Sequence, residues 1–213
     1  MTRSKFYNLF WIFIIGSIFG WVVEVLFALV KYGHFYNRSS LIYGPFGLAY
    51  GLGAVVLTLC LTNLKNNNIL KIFIISFLLG SLCEYIFSWG MELLLGFCCW
   101  DYSNIPFNIN GRICLLYSVF WGILGITWVK LIYPKLINVI KLIPYNIGQT
   151  LKNILIVFLI FDVIISVAAV YRQYNRKRNV KAENTIQIFL DKYYNDDFLE
   201  LVYPGINELN KGG

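Results

Sequence analysis

Residues 12–27 read IFIIGSIFGWVVEVLF, and residues 72–87 read IFIISFLLGSLCEYIF. Seven of these sixteen positions are identical, among them Gly20/Gly80, Glu24/Glu84 and Phe27/Phe87. Each stretch is apolar enough for a bilayer yet sets an acid one helical turn after a glycine. An ionised carboxylate in hydrocarbon needs a partner, a wet cavity or a proton. The candidate partners also recur: Arg38, Leu41, Tyr43 and Phe46 after the first stretch share their mutual spacing with Arg112, Leu115, Tyr117 and Phe120 after the second, although the second connection is longer. The chain reads as a duplicated hairpin, a Glu helix followed by an Arg helix.

The composition agrees with a membrane protein. The 213 residues are 58% hydrophobic and 14% charged, with a mean hydropathy of +0.64, well outside the range of soluble domains. Five apolar runs are long enough to span at about 1.5 Å per residue: 8–30, 41–63, 69–93, 113–131 and 154–171. The first is too long for a signal peptide and lacks a small-x-small cleavage site before Lys31. The expected fold class is therefore all-α, a polytopic membrane bundle: four spans from two parallel two-helix repeats, a fifth span and a short helical tail. A unit with two spans returns the chain to its starting side, so its duplicate inserts the same way up. The expected organisation is a duplicated domain over 1–135, a connector and fifth span over 136–171, and a basic tail over 172–213. After Pro134, KLINVIKL is too short to span and reads as an interfacial connector.

The net charge of +7 does not point to nucleic acid. Its densest part, Arg172, Arg176, Lys177, Arg178 and Lys181, follows the last span, where anionic headgroups are the expected counter-charge. Lys and Arg near span ends divide eight against eight between the two faces, so the positive-inside rule does not orient the chain. The compact basic run favours a cytoplasmic tail. In the tail, Asn184 with Gln187 suits a helix N-terminus, and Asp196 a second one.

Five cysteines, Cys98-Cys99 among them, and the single His34 give no metal-ligand spacing, so neither metal nor cofactor is expected. No P-loop, His-Glu-x-x-His or Gly-x-Ser-x-Gly signature is present, so an enzyme is not expected and any ATP use would need a separate ATPase subunit. The candidate substrate-binding residues are Glu24, Arg38, Tyr43, Glu84, Asp101, Asn108, Asn110, Arg112 and Tyr117. Glu24 with Arg38 and Glu84 with Arg112 lie at matching depths. Three readings stay open: buried ion pairs that fix helix register, a polar cavity for a small solute or ion, or arginines that snorkel to the surface. Asp101, Asn108 and Asn110 suit Asx turns in the long second connection, or a lid. Glu92, near a span end, is expected to be solvated. Asp162 would bond Ser166 or a neighbouring helix, or extend a proton route. Gly16-x-x-x-Gly20 and Gly47-x-x-x-Gly51 permit close helix contact, within the chain or in a homodimer.

Phe19-Gly20-Trp21-x-x-Glu24, Asn37-Arg38 with Tyr43-Gly44-Pro45, Trp100-Asp101-Tyr102-Ser103 and Asn108-x-Asn110-Gly111-Arg112 together resemble the bacterial CmpB-like, ABC-transporter type IV family of membrane proteins. The similarity covers about residues 6–135, and the Asp162 helix and tail look like an extension of longer members. The resemblance implies a permease-like transport component in a bacterial cell membrane, partnered by a separate ATPase. It implies no substrate and no catalytic residue. The alternative is a non-transporting membrane scaffold or regulator whose tail recruits a partner.

Overall fold

A computed structural model describes residues 4–95 and 100–204; Cys98 and Cys99 lie outside the described residues. Ser4 starts α1 (Lys5–Tyr32) by accepting from the Tyr7 amide at 3.1 Å, and Gly33, at φ 75°, ends it. The helix is apolar around its whole circumference, as a span must be, with Phe19, Leu26, Phe27 and Val30 exposed outward. Among the described residues, four helical stretches are long and apolar enough to cross a membrane: Lys5–Tyr32, Ile69–Leu93, Leu115–Leu142 and Tyr145–Lys177.

The second expected span is a shorter structure. Helix α2 (Leu48–Leu61) has 14 residues, about 21 Å at 1.5 Å per residue, and is followed by a 3₁₀ turn over Thr62–Leu64. Residues 38–47, apolar enough to read as helix, are irregular because Gly44 adopts φ 82° and Pro45 follows it. Helix α3 (Ile69–Leu95) then leads to the long connection, which holds a small antiparallel ladder of β1 (Asn108–Ile109) and β2 (Ile113–Cys114). The turn between them, Asn110-Gly111, has φ 53° and 65°, the pairing a type I′ hairpin turn requires.

Residues 136–142, expected at the start of a connector, are helical. Helix α4 (Leu115–Thr127) runs through a π turn (Trp128–Ile132) into α5 (Tyr133–Leu142) as one stretch. The widened turn lets Pro134, which has no amide to give, sit in the first turn of α5 without breaking the rod. Helix α6 (Tyr145–Lys177) contains the expected fifth apolar run.

The glycines serve contacts inside the chain. Helices α1 and α2 pack antiparallel, with Gly16 facing Ala54, Gly20 facing Tyr50, and Gly51 facing Phe13 and Ser17. Helices α3 and α4 pack likewise through Gly80 on Trp121, Gly122 on Phe73 and Gly125 on Ser76. Those faces are thereby filled, so the Gly-x-x-x-Gly stripe is not available for a homodimer. The main core lies towards the N-terminal end of α1, where Tyr7, Trp11, Ile12, Leu61, Ile72, Trp128 and Ile140 are buried together.

The tail forms α7 (Thr185–Tyr193) and α8 (Asp196–Val202). Asn184 caps α7, and Gln187 reaches back to the Glu183 amide at 2.7 Å. The cap of α8 is Asn195, one residue before the expected cap Asp196, which is the first helical residue. The tail folds back on α6. Asp191 takes a two-pronged bond from Arg172 (2.9 and 2.8 Å) and another from Arg176 (2.7 Å), while Asp196 pairs with Arg176 at 2.7 Å. The counter-charges of Arg172 and Arg176 are therefore carboxylates of this chain rather than lipid headgroups. A second buried cluster, Ile42, Ala169, Leu190, Tyr194, Leu199 and Val202, joins tail, α6 and the 38–47 loop.

Candidate functional site

Each Gly-x-x-x-Glu motif has the same local logic. On α1, a side chain at Gly20 would fall inside the ring of Tyr50, so the missing Cβ makes room for an aromatic residue from α2. One turn on, the Tyr50 hydroxyl donates to Glu24. On α3, Gly80 makes the same room for Trp121 of α4. The Trp121 indole donates to Glu84 Oε2 at 3.2 Å, and Tyr102 from the long connection donates to Oε1 at 2.8 Å. Burial and the neighbouring Glu84 carboxylate push the Tyr102 phenol up, so it keeps its proton and remains a donor.

The arginines do not close the expected pairs. Arg112 meets Glu92 at 2.6 Å and lies 5.6 Å over the Tyr85 ring. Glu92, expected to be merely solvated, is 48% exposed yet is the carboxylate that Arg112 takes. Arg112 sits on the hairpin beyond the Asn-Gly turn, which aims it along α3 towards Glu92. Arg38 lies 5.5 Å over the Tyr36 ring, and its Nε is buried with no hydrogen-bond partner. Among the described residues, Glu24 and Glu84 take part in no ion pair.

The remaining candidates divide by role. Asp101 accepts from the Ser103 amide at 2.8 Å and hydroxyl at 2.5 Å, bonds that hold its carboxyl below the usual range. Asn108 donates to the carbonyls of Ser103 and Ile105 and accepts from the Gly111 amide. Asp101 makes the expected Asx turn, while Asn108 reaches the amide three residues on. Asn110 donates to the Tyr85 hydroxyl at 3.0 Å, and Tyr117 stacks on Tyr102 with centroids 4.6 Å apart. Tyr117 therefore backs the ring that serves Glu84. His34 bonds the Tyr32 carbonyl in its own loop.

Tyr43 belongs to a second polar centre, formed where the irregular 38–47 loop meets α6. Its amide donates to Asp162 Oδ1 at 3.1 Å, and the Ile42 amide donates to Ser166 Oγ at 2.9 Å. Asp162 and Ser166 stand one turn apart on α6, so one helix face supplies acceptors for two adjacent loop amides. Irregular backbone at membrane depth persists only when its polar groups are met inside the protein. The Tyr43 hydroxyl bonds that of Tyr194 at 2.8 Å, and Asn37 links the Trp21 indole (3.1 Å) to the Val202 carbonyl (3.0 Å). Burial and Tyr43 push the Tyr194 phenol up to about 12.

Sequence reasoning missed Tyr50, Tyr102 and Trp121 as partners of the glutamates, and it missed Asp162 as the loop's anchor. An aromatic residue with a polar edge, needed wherever a glycine precedes an intramembrane acid by four, was the available signal.

Fold and composition define a multi-pass helical membrane protein. Residues 11–167 match the family described as "Putative ABC-transporter type IV", and the chain belongs to that family. The match runs past 135 to include Asp162 and Ser166, so most of the Asp162 helix is part of the family unit, while its end from residue 168 and the tail lie beyond it. No curated protein and no solved structure matches the chain.

Proposed function

We propose that the chain is a permease-like transport component of a bacterial cell membrane, handling a small solute or ion with a separate ATPase subunit supplying any ATP use. The observation that carries this is the treatment of the two glutamates. Each is held by neutral O–H and N–H donors of neighbouring segments, with no arginine on it. A carboxylate satisfied only by neutral donors keeps its charge available to a passing cation or proton, which an ion pair would cancel. Glu24 and Glu84 would be the binding groups, Tyr50, Tyr102 and Trp121 their orienting donors, and Arg38 the pole for a negative group on the solute. The two hairpins would be parallel repeats, with the 38–47 loop and α2 together making the second of five passes.

Uptake and efflux in a deletion strain test this. Wild-type chain should restore flux of at least one solute class, and Glu24→Gln with Glu84→Gln should lower it at least tenfold at unchanged membrane abundance. An unchanged solute panel with an intact envelope would overturn it.

A second reading, a membrane scaffold whose tail recruits a partner, is favoured by Ile186, Phe189 and Leu201, which the docked tail leaves largely exposed. It predicts that Ile186→Ser with Phe189→Ser abolishes function while flux variants at Glu24 and Glu84 remain silent.

A further inference from the structure

Asp162 is the eighteenth residue of the 33 in α6 and is fully buried. It precedes Arg172 by ten positions, about 15 Å along the helix, which sets it near the bilayer midplane. Its two oxygens have unequal surroundings. Oδ1 accepts from the Tyr43 amide at 3.1 Å and from the Ser166 hydroxyl at 3.3 Å. Oδ2 is buried with no hydrogen-bond partner.

The groups that face Asp162 are neutral. Ser166 is on its own helix; the loop brings the Ile42 and Tyr43 amides; the tail brings the Tyr194 phenol, which bonds the Tyr43 hydroxyl, and the Tyr203 phenol, which donates to the Ser40 carbonyl. No ion pair among the described residues involves Asp162, and the nearest arginines along α6, Arg172 and Arg176, are taken by Asp191 and Asp196. Holding an unpaired carboxylate in such a place costs far more than leaving one neutral carboxyl oxygen unsatisfied.

We infer that Asp162 is a proton-binding site, carrying its proton on Oδ2 at neutral pH while the 38–47 loop is seated. Deprotonation breaks the Oδ2–H bond and passes the proton to water. The charge left behind needs donors that the seated loop does not offer, so the loop or the tail tyrosines must shift to admit them. Proton occupancy of Asp162 and seating of the loop are thus linked, whatever the solute handled at Glu24 and Glu84.

Infrared spectroscopy of the full chain in lipid vesicles tests this without any transport measurement. At neutral pH the wild type should show a carbonyl band of a protonated carboxyl that is lost in Asp162→Asn and kept in Glu24→Gln and Glu84→Gln. Absence of such a band, or its persistence in Asp162→Asn, overturns the assignment. Should Asp162→Asn fail to fold, native protein treated with a hydrophobic carbodiimide, which adds to protonated carboxyls, gives the second measurement. Mass mapping should place the adduct on Asp162, with labelling falling at least fivefold as the pH is raised to where the loop unseats. An unlabelled Asp162 at neutral pH, with Glu24 or Glu84 labelled in the same sample, overturns it equally.

Discussion

The ring of Tyr50 occupies the space that a side chain at Gly20 would fill, and its hydroxyl reaches the carboxylate of Glu24 one turn further along α1. Steric room and hydrogen bond are a single device. Gly20→Ala should therefore displace Tyr50 and strand Glu24, lowering stability by about 1–3 kcal/mol as overpacking does. In a detergent melting experiment the losses of Gly20→Ala and Tyr50→Ala should be less than additive in the double variant, because each change alone takes the ring from the notch and the donor from Glu24. Fully additive losses would show that the ring is not held by the glycine.

Arg112 should couple to Glu92 and not to Glu84. Because Glu92 is 48% exposed, the coupling in a double-mutant cycle of Arg112→Met with Glu92→Gln should be modest, about 0.5–1 kcal/mol. The cycle of Arg112→Met with Glu84→Gln should be additive within about 0.5 kcal/mol. A larger coupling to Glu84 than to Glu92 would restore the pairing expected from the repeats.

Tail docking should fail only in acid. The Arg172 guanidinium, with help from Arg176, holds the Asp191 carboxyl below its usual range. A depressed folded-state value gives stability that is present above the unfolded carboxylate value, about 3.9, and is lost as pH falls through the folded one. Hydrogen exchange of α7 amides should stay slow at neutral pH and accelerate only below about pH 4. Asp191→Asn should accelerate it already at neutral pH, because Arg172, whose side chain is 4% exposed, loses its partner at a cost of roughly 3 kcal/mol.

The Asn110-Gly111 turn should be intolerant at its second residue. Gly111 has φ 65°, and a Cβ there would meet Asp101 Oδ1 and Ser103 Oγ. Gly111→Ala should cost more than about 1 kcal/mol, whereas Asn110→Gly, which keeps the turn but loses the bond to Tyr85, should cost less. Thermal melting of the two variants ranks them.

The long helices were legible because hydrocarbon imposes length and apolarity on a span, and because acids in apolar runs stand out. The placing of Glu24 and Glu84 within long apolar helices, and the Asx turn of Asp101, followed from residue type and spacing. The break at residues 38–47 was less visible: Leu41, Ile42 and Phe46 satisfy a hydropathy average, while Gly44-Pro45 is the local sign that a helix cannot run through them. The partner of Arg112 was hidden by a different cause. Spacing on a duplicated pattern assigns depth but not azimuth, and the hairpin turn at Asn110-Gly111 decides which face of α3 the guanidinium reaches.

The Ile42 amide and its acceptor Ser166 are 124 positions apart, and the Tyr43 amide and Asp162 are 119 apart. A ribosome working at roughly 5–20 residues per second makes α6 about 6–24 s after the loop. Throughout that interval the first hairpin is a finished piece of chain with two amides that hydrocarbon cannot satisfy. On the proposed five-pass arrangement, the loop waits at the wet surface, or in the insertion machinery, until the last long helix arrives, and the order of synthesis makes α6 the step that admits the loop into the membrane.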